Sequence, residues 1–186
     1  MSDRILTDVR DGVGTLTINR PEKLNAFADD MREQIVAGLD KIAAHPGARV
    51  LVITGAGRAF SAGGDVRFMM DLKARDADYG GLQPLLEAGR ECVRRLEAFP
   101  YPTIASVNGV AAGGGMRLAL ACDLRIAAEQ ASFILSFVNI GLCVDWGGAY
   151  HLPRLVGLAK AQELAWTGDP VDAREALRIG MVNRVV

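Results

Sequence analysis

Two glycine-rich stretches are the places where this chain's backbone could do chemistry. The first, TGAGRAFSAGGDV, runs from Thr54 to Val66; the second, NGVAAGGGMRL, runs from Asn108 to Leu118. Each follows a β-rich run and leads into a helical one. Glycine loses roughly 1 kcal/mol relative to alanine inside a helix, so clusters at a helix start ask for a reason. Without a Cβ, backbone N–H groups can approach a ligand closely, and the helix dipole favours negative charge there. One such loop is explained by tight strand-to-helix packing. Two on the same plan allow two N–H groups to converge on one developing oxyanion, each contributing on the order of 3 kcal/mol in the transition state.

Other chemistries fail on spacing. No G-x-x-x-x-G-K-[ST] segment is present to cradle a nucleotide phosphate. Gly55-Ala56-Gly57 begins a dinucleotide fingerprint, but Phe60 stands where its third glycine belongs, and there is no Tyr-x-x-x-Lys pair. Ser61 has Ala59 two residues before it, which breaks the nucleophile-elbow pattern. His45 and His151 have no evident sequence partner for a serine or cysteine triad. Without paired cysteines they also make no zinc ligand set, and no metal is expected.

The elements that must hold the two loops follow an α/β order. Ile5–Arg10 and Val13–Asn19 are β-rich runs around Asp11-Gly12, a hairpin signal. Met31, Ile35, Leu39 and Ile42 fall on one helical face that ends near His45-Pro46-Gly47. Val50–Thr54 is a continuous apolar strand, as in a sheet covered on both faces. A helix is expected from about Asp65, a break at Gly80-Gly81 and a second helix over Leu82–Phe99. Thr103–Asn108 reads as a strand, GVAAGGG as a loop, MRLALAC as a short helix and Leu124–Ala128 as a strand. Helices near Leu158–Thr167 and Ala173–Ile179 and a strand near Val182–Val185 complete the chain. The recurrence of strand, glycine loop, helix and strand is that of right-handed parallel crossovers in one domain spanning residues 1–186. The last strand has no closing element, so a covering C-terminal part is expected to be missing or supplied by another subunit.

Composition narrows the partners. The 186 residues carry a net charge of −1 and are 50% hydrophobic, which gives no electrostatic reason to expect nucleic acid or an anionic membrane. No apolar run reaches membrane-spanning length, and the charged N-terminus MSDRILTDVR is unlike a secretory signal. Cys92, Cys122 and Cys143 are odd in number and set among apolar residues, so they are expected to be buried, reduced thiols of a cytoplasmic protein.

Four segments, in order, carry a resemblance: NRPEKLNAF at 19–27, AFSAGGDV at 59–66, SVNGVAAGGGMRLALACDLRIAAE at 106–129 and IGLCVDWGGAYHLPRLVG at 140–157. Over essentially its whole length the chain resembles the enoyl-CoA hydratase/isomerase (crotonase) superfamily. The resemblance implies a spiral of ββα units, here without the usual C-terminal helices that cover the site and build trimers or dimers of trimers. It implies an acyl-CoA thioester as substrate, with coenzyme A as part of that substrate rather than a separate cofactor. The enolate oxyanion would be held by the N–H groups of Gly64 and Gly114. The CoA portion would lie along Lys23, Leu24 and Ala26 and the backbone near Ala62, Gly63, Asp65 and Val66, with Gly113 beside it. Asp65 also reads independently as a helix N-cap.

Two departures shape the reaction. Hydratases of this family hold water between two glutamates; this chain has Arg117 and Phe137 at those positions, and neither can serve as a general base. One acid remains in the zone, Asp145, among the apolar residues Leu142, Cys143, Val144 and Trp146. Burial there would raise its pKa toward a proton-shuttling range, although an aspartate before Gly147-Gly148 also suits a turn. Family members with an aspartate at this place include the epoxyphenylacetyl-CoA isomerases, which this sequence most resembles around LALACDLRIAAE and LPRLVG. The expectation is an isomerase in which Asp145 moves a proton along an enolate. An enoyl-CoA hydratase of unusual mechanism and a non-catalytic acyl-CoA-binding member are the alternatives. Arg117 itself is expected to reach solvent or to pair with Asp123 or Glu129, a contact with substrate or Asp145 being the lesser expectation. Phe137 and Trp146 are candidate walls of the acyl pocket.

Overall fold

The first two strands, β1 (Ile5–Arg10) and β2 (Val13–Ile18), pair antiparallel through Asp11 and Gly12. Both turn residues have positive φ, 51° and 85°, as a two-residue type I′ turn requires. In this computed structural model, which describes residues 4–75 and 83–186, the hairpin opens a sheet that continues in parallel. β3 (Val50–Gly55), β5 (Thr103–Val107), β7 (Leu124–Ala127) and β10 (Arg184–Val185) extend it in the order β1-β2-β3-β5-β7-β10. A second sheet, in the order β4-β6-β8-β9, is built from β4 (Ala59–Ser61), β6 (Val110–Ala112), β8 (Ser132–Ile134) and β9 (Val171–Asp172). Its first three strands are parallel and the last is antiparallel.

From β3 to α5 each turn of the chain therefore gives one strand to the large sheet, a short one to the small sheet, and then a helix. β3 and β4 lead to α2 (Val66–Arg75), β5 and β6 to α4 (Gly114–Leu120), and β7 and β8 to α5 (Gly148–Val156). This is the ββα spiral, α/β in class. Sequence periodicity finds only the first strand of each pair. The second is three residues long and made mostly of small side chains, too short for alternation to register. It occupies what reads as loop in AFS and VAA. The helix α5 is also absent from the sequence reading, because Gly147-Gly148 before it and Pro153 inside it look like loop punctuation.

The helix α1 (Met31–Ala43) buries the expected stripe of Met31, Ile35, Leu39 and Ile42 against β1, β2 and α3 (Gln83–Glu97). Phe27, Phe60, Leu51, Ile53 and Phe133 fill the core around it. Two further helices, α6 (Leu158–Thr167) and α7 (Ala173–Arg178), close the chain ahead of β10. The expected Gly80-Gly81 break and the helix start at Leu82 lie outside the described residues. Among the described residues no helix is long and apolar enough to cross a membrane.

Candidate functional site

The two glycine loops meet. Gly63 has φ 84°, and a Cβ there would lie 2.6 Å from the Ala112 carbonyl oxygen and 3.0 Å from the Gly114 nitrogen. Only a residue without a side chain lets the first loop approach the second this closely. Phe27 fixes the other side of the first loop: its N–H donates to the Gly63 carbonyl at 2.7 Å, and its carbonyl accepts from the Asp65 N–H at 3.0 Å. That parallel bridge turns the Gly64 N–H away from Phe27, and it has no protein acceptor among the described residues. Gly114 opens α4, so its N–H has no acceptor within that helix. Gly64 and Gly114 both line one cavity of about 460 Å³. Gly113, by contrast, donates its N–H to the Ile134 carbonyl at 3.0 Å and makes the left-handed turn, φ 48°, that starts α4.

The segment between the short 3-10 turn Val138–Ile140 and α5 supplies the acid. Trp146 has φ 45°, a conformation that costs a bulky residue about 1–3 kcal/mol. It is held there by stacking on Phe27, with ring centroids 5.7 Å apart, and by Gly89, where any Cβ would overlap the indole. With Trp146 turned inward, the neighbouring Asp145 carboxylate lies in the cavity wall, its side chain 26% exposed.

Arg117 is not at the surface. Every residue of α4 is buried, so the helix has no solvent face for it, and the arginine side chain is only 1% exposed. Asp123 is already engaged by the Thr103 N–H at 2.7 Å and the Thr103 hydroxyl at 2.8 Å. Arg117 instead donates from Nη2 to Asp145 Oδ1, and its guanidinium lies 3.9 Å over the Phe137 ring. Gly148 leaves the space that its side chain fills. The expected outward or Asp123-paired arginine is thus replaced by a buried partner of the candidate base. Burial pulls the Arg117 pKa down to about 10, against the charge of Asp145. Burial also raises the Asp145 pKa above the usual carboxylate range, with the Arg117 charge and hydrogen bond opposing it.

A ridge of backbone flanks the cavity on the side expected to hold the CoA portion. The Ala62 N–H donates to the Leu24 carbonyl at 2.9 Å, and Arg20 Nη1 donates to the Ala26 carbonyl at 3.0 Å and to Asp65 Oδ2 at 2.8 Å. Lys23 is exposed at the end of the 3-10 turn Pro21–Lys23. Ala62 and Val66 line the cavity, whereas Lys23, Leu24, Ala26, Gly63 and Asp65 are not among its lining residues. Asp65 Oδ1 accepts from the N–H groups of Arg67 and Phe68 at 3.1 and 3.2 Å, so its capping role at α2 is realised. Burial opposes its ionisation, but Arg20 and these N–H groups outweigh it and hold the carboxyl below the usual range.

The model of the family "Enoyl-CoA hydratase/isomerase" matches residues 8–186. The chain belongs to the enoyl-CoA hydratase/isomerase family. It is 44% identical to a 1,2-epoxyphenylacetyl-CoA isomerase of Escherichia coli, over 100% of this chain and 71% of the relative. It is 40% identical to a crotonyl-CoA hydratase of Syntrophomonas wolfei, over 99% of this chain and 69% of the relative. The crystal structure of an enoyl-CoA hydratase from Bacillus anthracis superposes with a TM-score of 0.91 at 35% identity, covering 99% of this chain and 70% of that one. The chain thus spans about 70% of the length of such family members.

Besides Arg117, one residue of this hydratase/isomerase family member's site departs from the sequence expectations and another lies outside them. Cys143 is exposed and lines the cavity rather than the core, because the segment holding it faces the opening, as does its neighbour Leu142. Cys92 and Cys122 are buried as expected. Arg32, which sequence reasoning passed over, is 3% exposed and borders the cavity. Its signal was available: Arg32, Ile35 and Leu39 share one helical face, so an arginine interrupts an apolar stripe. A separate hollow of about 650 Å³, near His151, Glu97 and Arg154, includes none of the glycine-loop residues. Among the described residues no cluster of histidine, cysteine, aspartate and glutamate could hold a metal.

Proposed function

We propose that the protein is an enoyl-CoA isomerase that shifts a double bond through a thioester enolate. The observation that carries this reading is the single carboxylate, Asp145, among the described residues of the cavity that Gly64 and Gly114 also line. The Gly64 and Gly114 N–H groups polarise the thioester carbonyl and acidify the adjacent carbon. Asp145 takes a proton from one carbon of the acyl chain and returns it to another, so the carboxylate is regenerated and no water is consumed. Arg117 keeps Asp145 ionised and aimed, while burial makes it more basic than an exposed aspartate. Lys23, Leu24, Ala26, Ala62, Gly63, Asp65 and Val66 form the ridge along which the CoA portion lies, with Gly113 completing the turn beneath the thioester. The scheme calls for no metal and no cofactor beyond the coenzyme A of the substrate. The proposed location is the cytoplasm, and the proposed assembly is a homo-oligomer, a trimer or dimer of trimers, if the C-terminal region is present in the native protein. Exposed Leu158 and Trp166 support an assembly contact.

Hydration is the rival reading, supported by the hydratase names of relatives. It asks for a second group to activate water, where Arg117 and Phe137 stand. Asp145→Asn separates the two, because the amide oxygen still accepts from Arg117. Isomerisation of a 3-enoyl-CoA should fall by about 10²–10⁴-fold, measured as formation of the conjugated 2-enoyl thioester. Unchanged isomerisation, or ordinary hydration of crotonyl-CoA by the unaltered protein, overturns the assignment.

A further inference from the structure

Arg32 is a buried cation with no ionic partner among the described residues. It projects from the first turn of α1, is 3% exposed, and its guanidinium makes no hydrogen bond or ion pair with any described residue. Its Nε and Nη1 are sealed from solvent without partners. The group is held between two rings, 5.7 Å from the Phe27 centroid and 5.3 Å from that of Trp146. Its third nitrogen, Nη2, lies 3.8 Å from where a Cβ on Gly64 would sit, so the guanidinium abuts the Gly64 side of the cavity. Removing an unpaired cation from water costs several kcal/mol, and burial lowers the pKa of this one. Two aromatic faces offset a part of that cost.

Among the described residues the charge lining the cavity is mostly positive. Arg32, Arg90 and Arg117 line it, and Asp145 is the one carboxylate among the described lining residues. Asp145 is already taken by Arg117. We propose that Arg32 is the receptor for a carboxylate carried by the acyl group itself, so that the preferred substrates are thioesters of dicarboxylic acids with one acid left free. A transient enolate does not account for the residue, because Gly64 and Gly114 already serve that oxygen and a resting cation asks for a resting anion. The phosphates of coenzyme A do not account for it either. A side chain this deeply buried is within reach only of a group inside the cavity, and a bulky hydrated phosphate stays outside. A carboxylate fits: it is planar, and a guanidinium binds it through paired N–H groups.

The inference rests on the acyl-CoA reading of the site, and its test is binding, which does not depend on turnover. Glutaryl-CoA and valeryl-CoA have acyl chains of the same carbon count and differ in the terminal carboxylate. Isothermal titration of the unaltered protein should show glutaryl-CoA bound at least tenfold more tightly. Arg32→Gln should remove that preference while leaving valeryl-CoA within about twofold, and Arg32→Lys should keep part of it. Equal affinity for the two thioesters in the unaltered protein overturns the proposal, whether or not the glutamine variant folds. An equal loss for both thioesters in Arg32→Gln also overturns it, since that is the signature of an arginine that merely props Trp146. Failure of both to bind at all would instead remove the acyl-CoA reading itself.

Discussion

Replacing Arg117 with methionine isolates what the arginine does to Asp145. The substitution keeps an unbranched apolar stem in the space beside Gly148 and removes only the guanidinium. In the native site burial raises the Asp145 pKa, while the charge and hydrogen bond of Arg117 hold it back. A hydrogen bond to a charged group contributes about 1.5–3 kcal/mol, and in this pair it favours the ionised carboxylate. Losing Arg117 should therefore raise the Asp145 pKa further, since burial then acts unopposed by that partner. Asp145 acts in its ionised form, so the acid limb of kcat/KM for 3-enoyl-CoA isomerisation should move to higher pH. Thermal melts give an independent sign. A carboxyl with a raised pKa in the folded state contributes stability that is present below its unfolded value and lost as pH rises through the folded one. The variant's deficit should accordingly be smallest in acid and grow toward neutrality. Retained turnover with an unmoved acid limb would refute the pairing as a control on the base.

Two further outcomes test the surrounding geometry. Gly63→Ala places a Cβ 2.6 Å from the Ala112 carbonyl at φ 84° and should push the loops apart, lowering kcat by about 10²-fold, the scale of one lost oxyanion donor. A variant that melts normally and turns over normally would show that the loops need not touch. Of the three cysteines, Cys143 alone should react quickly with a thiol reagent, because burial pushes the Cys92 and Cys122 thiols up to about 12. Cys143→Ser should abolish the fast phase, and an acyl-CoA filling the cavity should slow it in the native protein.

Much of the architecture is legible from spacing. The strands of the large sheet announce themselves as apolar runs, and α1 as a stripe at helical intervals, because each is long enough to show its period. The small sheet does not, since three residues of Ala, Val, Phe or Ser carry no period and their role is fixed by the neighbouring strand. The glycine loops are legible as unusual, and their meeting is not: that Gly63 touches Gly114 depends on β4 and β6 lying side by side. Arg117 shows the same limit. Its short helix does not by itself say where the side chain goes; β4, β5, β6 and α5 enclose it, and the acid it meets lies 28 residues further along the chain.

The site is also marked by where the rules of stable folding are broken. A buried ion pair is weak evidence for stability, and replacing one by well-packed apolar residues is often neutral or favourable by about 1–4 kcal/mol. Arg117 is a poor stabiliser on this account, because two of its nitrogens find no partner. Arg32 is poorer still, with no ionic partner among the described residues. Of the five buried side-chain atoms without hydrogen-bond partners among the described residues, four belong to these two arginines. Both line the cavity of Asp145, whose neighbour Trp146 holds a left-handed backbone that packing must enforce. Orphaned donors and a strained backbone gathered in one place are what a fold retains when the site's chemistry requires them. Without any likeness to another protein, these broken rules select the same cavity that the converging glycines do. They also divide the two arginines by role, one committed to the base and the other left free for an anion the protein does not itself contain.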